Sequence, residues 1–166
     1  QRPDATVGVR DRSTDLMPHL DGERVGAFFT PADQRSDDQQ AVDAFSMALI
    51  DELKTADHIV LGLPMYNFGI PSQLKSWIDH VARAGITFRY TENGPQGLLD
   101  DKPVTVLAAR GGLYAGTEND TVTPYIKLFF GFIGMTDVNF VYAEGLNMGD
   151  ETKEKAMSEA QAALAG

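Results

Sequence analysis

Cysteine is absent from the 166 residues of this sequence. Its absence excludes disulfide bonds, thiolate catalysis and metal sites with cysteine ligands. Long apolar runs are also missing, since the longest, 59–65 and 128–135, are far shorter than the roughly 20 residues of a membrane-spanning helix. The first residues lack the apolar centre of a signal peptide. We therefore expect a cytoplasmic protein that does not enter a membrane.

Positive charge is scarce, because 14 Lys and Arg stand against 24 Asp and Glu and give a formal net charge of −10. Basic clusters are absent, so nucleic acid is not an expected partner. The three histidines, His19, His58 and His80, lack metal-ligand spacing and predict no metal site. No Walker loop, GxSxG elbow or HExxH motif is present, so hydrolytic chemistry has no support.

The order of apolar runs predicts an α/β protein of one domain, residues 1–166, with a doubly wound parallel sheet. Strands buried on both faces are expected at 58–63, 103–109 and 138–143, and a short strand at 5–9. Helices are expected from a capping box at 36–39 to residue 55, over 71–84 before Gly85 as a cap, and from Thr123 to 133. A last helix is expected from Asp150 onward, with Met157, Ala160 and Leu164 as its apolar stripe. The remaining segments, 10–34 and 86–101, are interpreted as a long connection and an irregular flap.

Two segments at the ends of predicted strands are candidates for a ligand site, because open α/β sheets bind ligands beyond the carboxyl ends of their strands. Residues 65–68 follow the first buried strand, and residues 109–112 end the next one. Backbone amides at such turns donate hydrogen bonds without a titratable group, and glycines allow a planar ligand to approach closely. The alternative for both segments is an ordinary turn beside core side chains.

Residues 64–99, PMYNFGIPSQLKSWIDHVARAGITFRYTENGPQGLL, resemble the FMN-dependent NADH-azoreductases, a branch of the flavodoxin-like quinone reductases. The similarity continues through residues 109–112, 123–125, 131–134 and 143–145. It implies a flavodoxin-like fold with helices on both faces of the sheet. The resemblance also implies reduction of quinones and azo compounds by NADH in a ping-pong reaction, with FMN carrying the hydride.

The resemblance assigns roles to particular residues, none of them catalytic. It implies FMN ligands at Met65, Tyr66, Asn67, Phe68, Ala109, Arg110, Gly111 and Gly112. It also implies a pocket for flat aromatic substrates at the interface of a homodimer, with Phe88, Tyr90 and Phe129 as candidates. Core packing is the alternative for Phe129. Glu144, at the end of the third buried strand, is interpreted as a solvated carboxylate, with a role in catalysis as the alternative.

The sequence departs from the family at its start, where we expect the first strand, the serine-rich phosphate loop and the first helix to be missing. Loss of a central strand would leave backbone groups of its neighbours unpaired. This departure supports a second hypothesis, a flavin-free fragment that acts as an interaction module. A third, weaker hypothesis is a flavodoxin-like electron carrier.

Overall fold

Helices and strands alternate along the chain, of which a computed structural model describes residues 4–11 and 13–165. The strands are β1 (Ile59–Pro64), β2 (Phe88–Thr91), β3 (Gly94–Gly97), β4 (Val104–Ala109) and β5 (Val138–Ala143). The helices are α1 (Gly22–Phe29), α2 (Asp37–Thr55), α3 (Ser72–Val81), α4 (Val122–Ile133) and α5 (Asp150–Ala165), with a short 3₁₀ turn at Ala32–Gln34. The predicted α/β class is confirmed.

A parallel sheet in the order β1-β4-β5 forms the centre of the fold. The central strand β4 alternates buried and half-buried residues, and its Val104 and Val106 are fully buried. They belong to the same apolar core as Ile126, Phe130 and Ile133 of α4. The core therefore fixes β4, and with it the position of the strand ends. No helix in the described ranges is long and apolar enough to cross a membrane.

Local signals set the limits of α2 as predicted. The Ser36 side chain accepts a hydrogen bond from the Gln39 amide at 3.3 Å, and the Gln39 side chain accepts one from the Ser36 amide at 3.1 Å. This reciprocal pair is the predicted capping box, and it satisfies two amides that a helix start leaves unpaired.

The first edge of the sheet differs from the prediction. Residues 5–9 are exposed and form no strand, and Val60 of β1 is 64% exposed. The amides of Ile59 and Met65 donate to the carbonyls of Pro103 and Ala109. The N–H and C=O groups of the odd-numbered residues of β1 therefore point toward β4, and those of Val60 and Gly62 point away from it. β1 is thus an edge strand rather than a strand buried on both faces, and a groove of about 560 Å³ runs along it. Residues 5–9 do not pair with the open edge of β1.

The predicted connection at 10–34 contains a helix, α1. The Asp21 carboxylate caps it by accepting from the Arg24 amide at 2.9 Å, and Ala27 is fully buried. Arg83 binds α1 to the rest of the fold, because its guanidinium carbon lies 3.7 Å from the Phe28 ring centroid. The sequence interpretation was wrong because α1 has only eight residues, two of them glycines that lower helix propensity.

The predicted flap is a regular antiparallel hairpin of β2 and β3. Gly94, with φ +103°, takes a left-handed conformation in its turn, and the Thr91 hydroxyl donates to the Gly94 carbonyl at 2.8 Å. The cross-strand pairs run from Phe88 with Gly97 to Thr91 with Gly94. The segment is therefore a regular hairpin, and not the irregular structure that its glycines and proline suggested.

Two helix limits are corrected by side chains that satisfy backbone groups. α3 ends at Val81 rather than near Gly85, because the Thr87 hydroxyl donates to the Val81 carbonyl at 2.7 Å and accepts from the Arg83 amide. α4 begins at Val122 rather than after the predicted Thr123 cap, since the Asp120 side chain accepts from the Thr123 amide.

The predicted apolar stripe of α5 is not buried. Met157 and Leu164 are exposed, and no residue of α5 is buried. The helix contacts β5, an edge strand that is itself only half-buried, so its apolar residues remain open to solvent. The expectation that 138–143 is buried on both faces is wrong for the same reason.

Candidate functional site

Three loops meet at the carboxyl ends of the parallel strands. Pro64, Ala109 and Ala143 share one register position, so β1, β4 and β5 end in the same row. The amide of Met65 donates to the Ala109 carbonyl at 3.1 Å, and the amide of Arg110 donates to the Ala143 carbonyl at 2.9 Å. The two sequence-predicted segments therefore lie side by side at one edge of the sheet.

The loop after β1 is a tight turn with two residues in an unusual conformation. Asn67 and Phe68 have φ of +48° and +62°, the left-handed region, and Tyr66 and Gly69 exchange two backbone hydrogen bonds of 2.9 Å. Asparagine tolerates this region, whereas a left-handed phenylalanine costs about 1–2 kcal/mol. Strain of this kind concentrates at functional sites, where the surrounding structure maintains it.

The loop after β4 is fixed by the segment that follows β5. The carbonyls of Arg110, Gly111 and Gly112 accept from the amides of Leu146, Asn147 and Gly145 at 3.1, 3.0 and 2.9 Å. A Cβ on Gly111 would lie 2.5 Å from the Asn147 Nδ2 atom, and one on Gly112 would lie 3.0 Å from the Tyr114 ring. A side chain at Gly111 would have to displace the Asn147 side chain, and one at Gly112 would have to shift the Tyr114 ring.

Four backbone amides of the two predicted segments, 65–68 and 109–112, have no protein acceptor among the described residues. Within the described part of the chain, no atom accepts a hydrogen bond from the amides of Asn67, Phe68, Gly111 or Gly112. Two adjacent strand ends thus offer unpaired donors beside one another. A planar heterocycle with carbonyl and ring-nitrogen acceptors along one edge matches this donor set, so the residues present fit the ring of a flavin.

The remaining predicted ligands contribute differently. The amides of Met65, Tyr66 and Arg110 are already paired within the protein, and the Ala109 carbonyl accepts from Met65. Tyr66 and Phe68 keep exposed side chains that can cover a ring face.

The Arg110 side chain points into the protein, where it is 1% exposed. Its Nη2 atom lies 2.9 Å from Asp120 Oδ1 and 2.9 Å from Thr123 Oγ1, and its Nη1 atom lies 3.1 Å from Glu144 Oε1. Burial alone would raise the pKa of Asp120, yet the hydrogen bonds from Arg110 and Thr123 hold that pKa below its ordinary value. Arg110 therefore acts beneath the loops rather than on a ligand.

Sequence reasoning missed the role of Glu144. Its side chain is 14% exposed, and Oε1 accepts from the amides of Tyr114 and Ala115, each at 2.9 Å. The interpretation of Glu144 as a solvated carboxylate is therefore wrong. Its position directly after a strand was the available signal, but its partners lie about thirty residues earlier in the chain, and no local pattern marks them.

Side chains from both loops meet at the surface. The Phe68 and Tyr114 rings lie edge to face, with centroids 5.9 Å apart and planes at 82°. Beside Phe68 and Gly69 lies a groove of about 520 Å³, which Ile70, Val122 and Tyr125 also line.

The three aromatic residues predicted for a substrate pocket lie elsewhere. Phe88 contacts Tyr90 and Phe132, with centroids 5.5 and 4.2 Å apart, on the β2–β3 hairpin side. Phe129 is 7% exposed and packs edge-on to Trp77 in the core, as the alternative interpretation held. Tyr90 alone of the three has an exposed ring, and none of them lines the groove beside Phe68.

The parallel sheet with ligand loops at its carboxyl edge defines a flavodoxin-like protein, and comparison with known families agrees. The model of a protein family with the flavodoxin-like fold matches residues 1–166 of this chain. An FMN-dependent NADH:quinone oxidoreductase from Alcanivorax borkumensis is 80% identical over 164 residues, covering 99% of this chain and 83% of that protein. FMN-dependent NADH:quinone oxidoreductase 6 from Burkholderia lata is 60% identical over 163 residues, covering 98% and 82%.

Solved structures show the same relationship. An azoreductase from Bacillus anthracis strain Sterne superposes with a TM-score of 0.87 at 29% identity, covering 97% of this chain and 80% of that one. An FMN-dependent NADH-azoreductase from Bacillus anthracis strain Ames Ancestor, in complex with FMN, gives a TM-score of 0.79 at 30% identity and covers 91% and 76%. The chain belongs to this flavodoxin-like family of FMN-dependent NADH-azoreductases and quinone oxidoreductases.

Proposed function

We propose that this chain binds FMN and reduces quinones and azo compounds with NADH. The observation that carries the proposal is the set of four free amides, Asn67 and Phe68 after β1 and Gly111 and Gly112 after β4. The names of its relatives support the same activity.

The chain's own residues bind and orient the flavin ring. Bound FMN supplies two-electron hydride chemistry between NADH and the acceptor. The amides of Asn67, Phe68, Gly111 and Gly112 donate to the polar edge of the ring, and fixed donors of this kind stabilise negative charge as it develops. Met65, Tyr66 and Phe68 supply side chains beside the ring, and Ala109 and Arg110 fix the loop bases. The exposed Tyr90 ring, with Phe88 packed against it, is the proposed contact for a flat substrate between two copies of the chain.

We further infer a homodimer, one domain over residues 1–166, and a cytoplasmic location where NADH is the common reductant. The apolar surface of Tyr90 and Leu128, each more than two-thirds exposed, supports association of two copies. One continuous core cluster, reaching from Met17 to Met135, supports a single domain.

The proposal is tested by steady-state turnover of NADH with a soluble quinone, measured as a function of added FMN. We expect NADH oxidation to depend on both FMN and quinone. A folded protein that gives no FMN-dependent turnover would contradict the proposed enzyme. FMN binding with single-turnover reduction, but no sustained turnover, would instead support the electron carrier.

A further inference from the structure

A buried ion cluster lies beneath the two loops at the strand ends. It consists of Arg110, Asp120 and Glu144, whose side chains are 1%, 6% and 14% exposed. The Arg110 guanidinium carbon also lies 5.0 Å from the Tyr142 ring centroid. The cluster thus occupies the base of the site without reaching its surface.

Glu144 binds the loop after β4 at two successive amides. Its Oε1 atom accepts from Tyr114 N and Ala115 N at 2.9 Å and from Arg110 Nη1 at 3.1 Å. These bonds hold the distal end of the loop, while the carbonyls of Gly111 and Gly112 are held by Asn147 and Gly145. The loop is therefore fixed on both sides of the free Gly111 and Gly112 amides.

The same cluster reaches the loop after β1. Asp120 Oδ1 accepts from Arg110 and from the Thr123 amide at 3.0 Å, which fixes the start of α4. The neighbouring Thr121 hydroxyl donates to the Phe68 carbonyl. A path of hydrogen bonds and covalent bonds thus runs from Glu144 through Arg110 and Asp120 to the left-handed Phe68.

Stability alone does not account for such a cluster. Burying charges costs several kcal/mol per ion, so buried ion clusters are often no more stable than apolar side chains of similar volume. What this cluster adds is direction, because Glu144 accepts from two loop amides and Asp120 accepts from the amide at the start of α4. A fixed loop loses little conformational freedom when a ligand binds, which increases affinity.

We propose that Glu144 is a positioning residue that holds residues 111–115 in the flavin-binding conformation before any flavin is present. The inference rests on the proposed function for its ligand. Glu144 touches no flavin atom in this account and acts through the Tyr114 and Ala115 amides. Its role depends on an acceptor oxygen at Oε1, which glutamine also supplies and alanine does not.

The test compares FMN dissociation constants, from flavin fluorescence quenching, for wild type, Glu144→Ala and Glu144→Gln. We expect Glu144→Ala to raise the dissociation constant about tenfold or more, since two amides lose a charged acceptor. Glu144→Gln should remain within about threefold of wild type, because its side-chain carbonyl still accepts. If Glu144 had a purely structural role, its replacement would lower the melting temperature, but Glu144→Gln would not bind FMN more tightly than Glu144→Ala.

Asp101→Ala is the matched control. The Asp101 carboxylate also binds backbone, accepting from the Thr136 amide at 2.8 Å. Thr136 lies just before β5, so this contact is at the amino-terminal ends of the strands, opposite to the candidate site. We expect this variant to lose stability and keep its FMN affinity. Equal affinity in folded Glu144→Ala and wild type would overturn the positioning role, as would an equal loss in Asp101→Ala.

Amide hydrogen exchange in the flavin-free wild type tests the role even if Glu144→Ala does not fold. We expect the Tyr114 and Ala115 amides to be protected relative to the free amides of Gly111 and Gly112. Equally fast exchange at all four would overturn the proposal. Failure of the wild type to bind FMN would contradict the proposed function, whereas the exchange pattern would still decide whether Glu144 orders the loop.

Discussion

Arg110 Nη2 lies 2.9 Å from Asp120 Oδ1 in an almost fully buried ion pair that joins the end of β4 to the start of α4. Arg110 belongs to the loop after β4, and Thr121, which follows Asp120 in the chain, donates to the Phe68 carbonyl in the loop after β1. The pair therefore couples the stability of the fold to the geometry of the site.

Replacement of Arg110 should be strongly destabilising. Arg110→Met leaves the Asp120 and Glu144 carboxylates buried without a cation, which costs about 3–5 kcal/mol of unfolding free energy. Urea denaturation measures the loss. Lys75→Met is the control, because the Lys75–Asp79 pair on α3 is largely exposed, and an exposed i,i+4 pair contributes about 0.5 kcal/mol or less. Similar losses in both variants would contradict the account of the buried pair.

Phe68→Gly should separate strain from ligand binding. Removing the left-handed phenylalanine relieves about 1–2 kcal/mol, while the lost contact with Tyr114 and the added flexibility cost a similar amount. We expect the unfolding free energy to change by less than about 1 kcal/mol and FMN affinity to fall. Phe29→Gly, at an exposed helix position, should lower stability and leave FMN affinity unchanged. An unaltered FMN dissociation constant in Phe68→Gly would remove the side chain from the site.

Gly97→Ala should destabilise the hairpin against α4. A Cβ at Gly97 would lie 2.1 Å from the Gly134 amide nitrogen, and a backbone atom cannot move aside as a side chain can. We expect a loss of about 1–3 kcal/mol or more, measured by thermal and urea unfolding. Gly62→Ala is the control, since no atom lies within 4 Å of its added methyl group. If Gly97→Ala were as stable as Gly62→Ala, the close packing of β3 on α4 would be refuted.

The pH dependence of stability should include a contribution from His80. Burial lowers the pKa of His80 below its ordinary 6.5, and the nearby Arg24 and Arg83 act in the same direction, against the Pro18 carbonyl and Asp79. Above pH 6.5 the ring is neutral in both states and the stability is at its full value. Below it the unfolded chain binds the proton more readily, so stability falls until the pH passes the folded-state pKa.

His80→Gln should flatten this dependence, since glutamine keeps an amide donor for the Pro18 carbonyl and does not titrate. Unfolding free energies between pH 7.5 and about 5 measure the change. His58→Gln, at an exposed position, should retain the wild-type slope. An unchanged slope in His80→Gln would show that another group causes the loss.

Local sequence signals sufficed for much of the fold. The capping box at Ser36 and Gln39 gave the start of α2, and the apolar run 138–143 matched β5 residue for residue. Each depends on residues within a few positions of one another. Segments without such a pattern, such as α1 with its two glycines, were missed.

Features that depend on distant residues could not be predicted. The run 58–63 predicts a buried strand, yet Val60 is exposed because, among residues 4–11 and 13–165, no strand pairs with that edge of β1. The sequence placed Arg110 and the glycines at the correct sheet edge. It could not show that the Arg110 side chain turns inward to Asp120 and Glu144, which lie 10 and 34 residues away.

The central claim is that the amides of Asn67, Phe68, Gly111 and Gly112 bind the flavin ring. Backbone amide chemical shifts of the ¹⁵N-labelled protein, followed by NMR during titration with FMN, test it directly. We expect these four amides to show the largest saturable changes in chemical shift, while the amides of the hairpin and of α5 stay constant. Binding that shifts the amides lining the groove beside β1, and leaves these four unchanged, would contradict it.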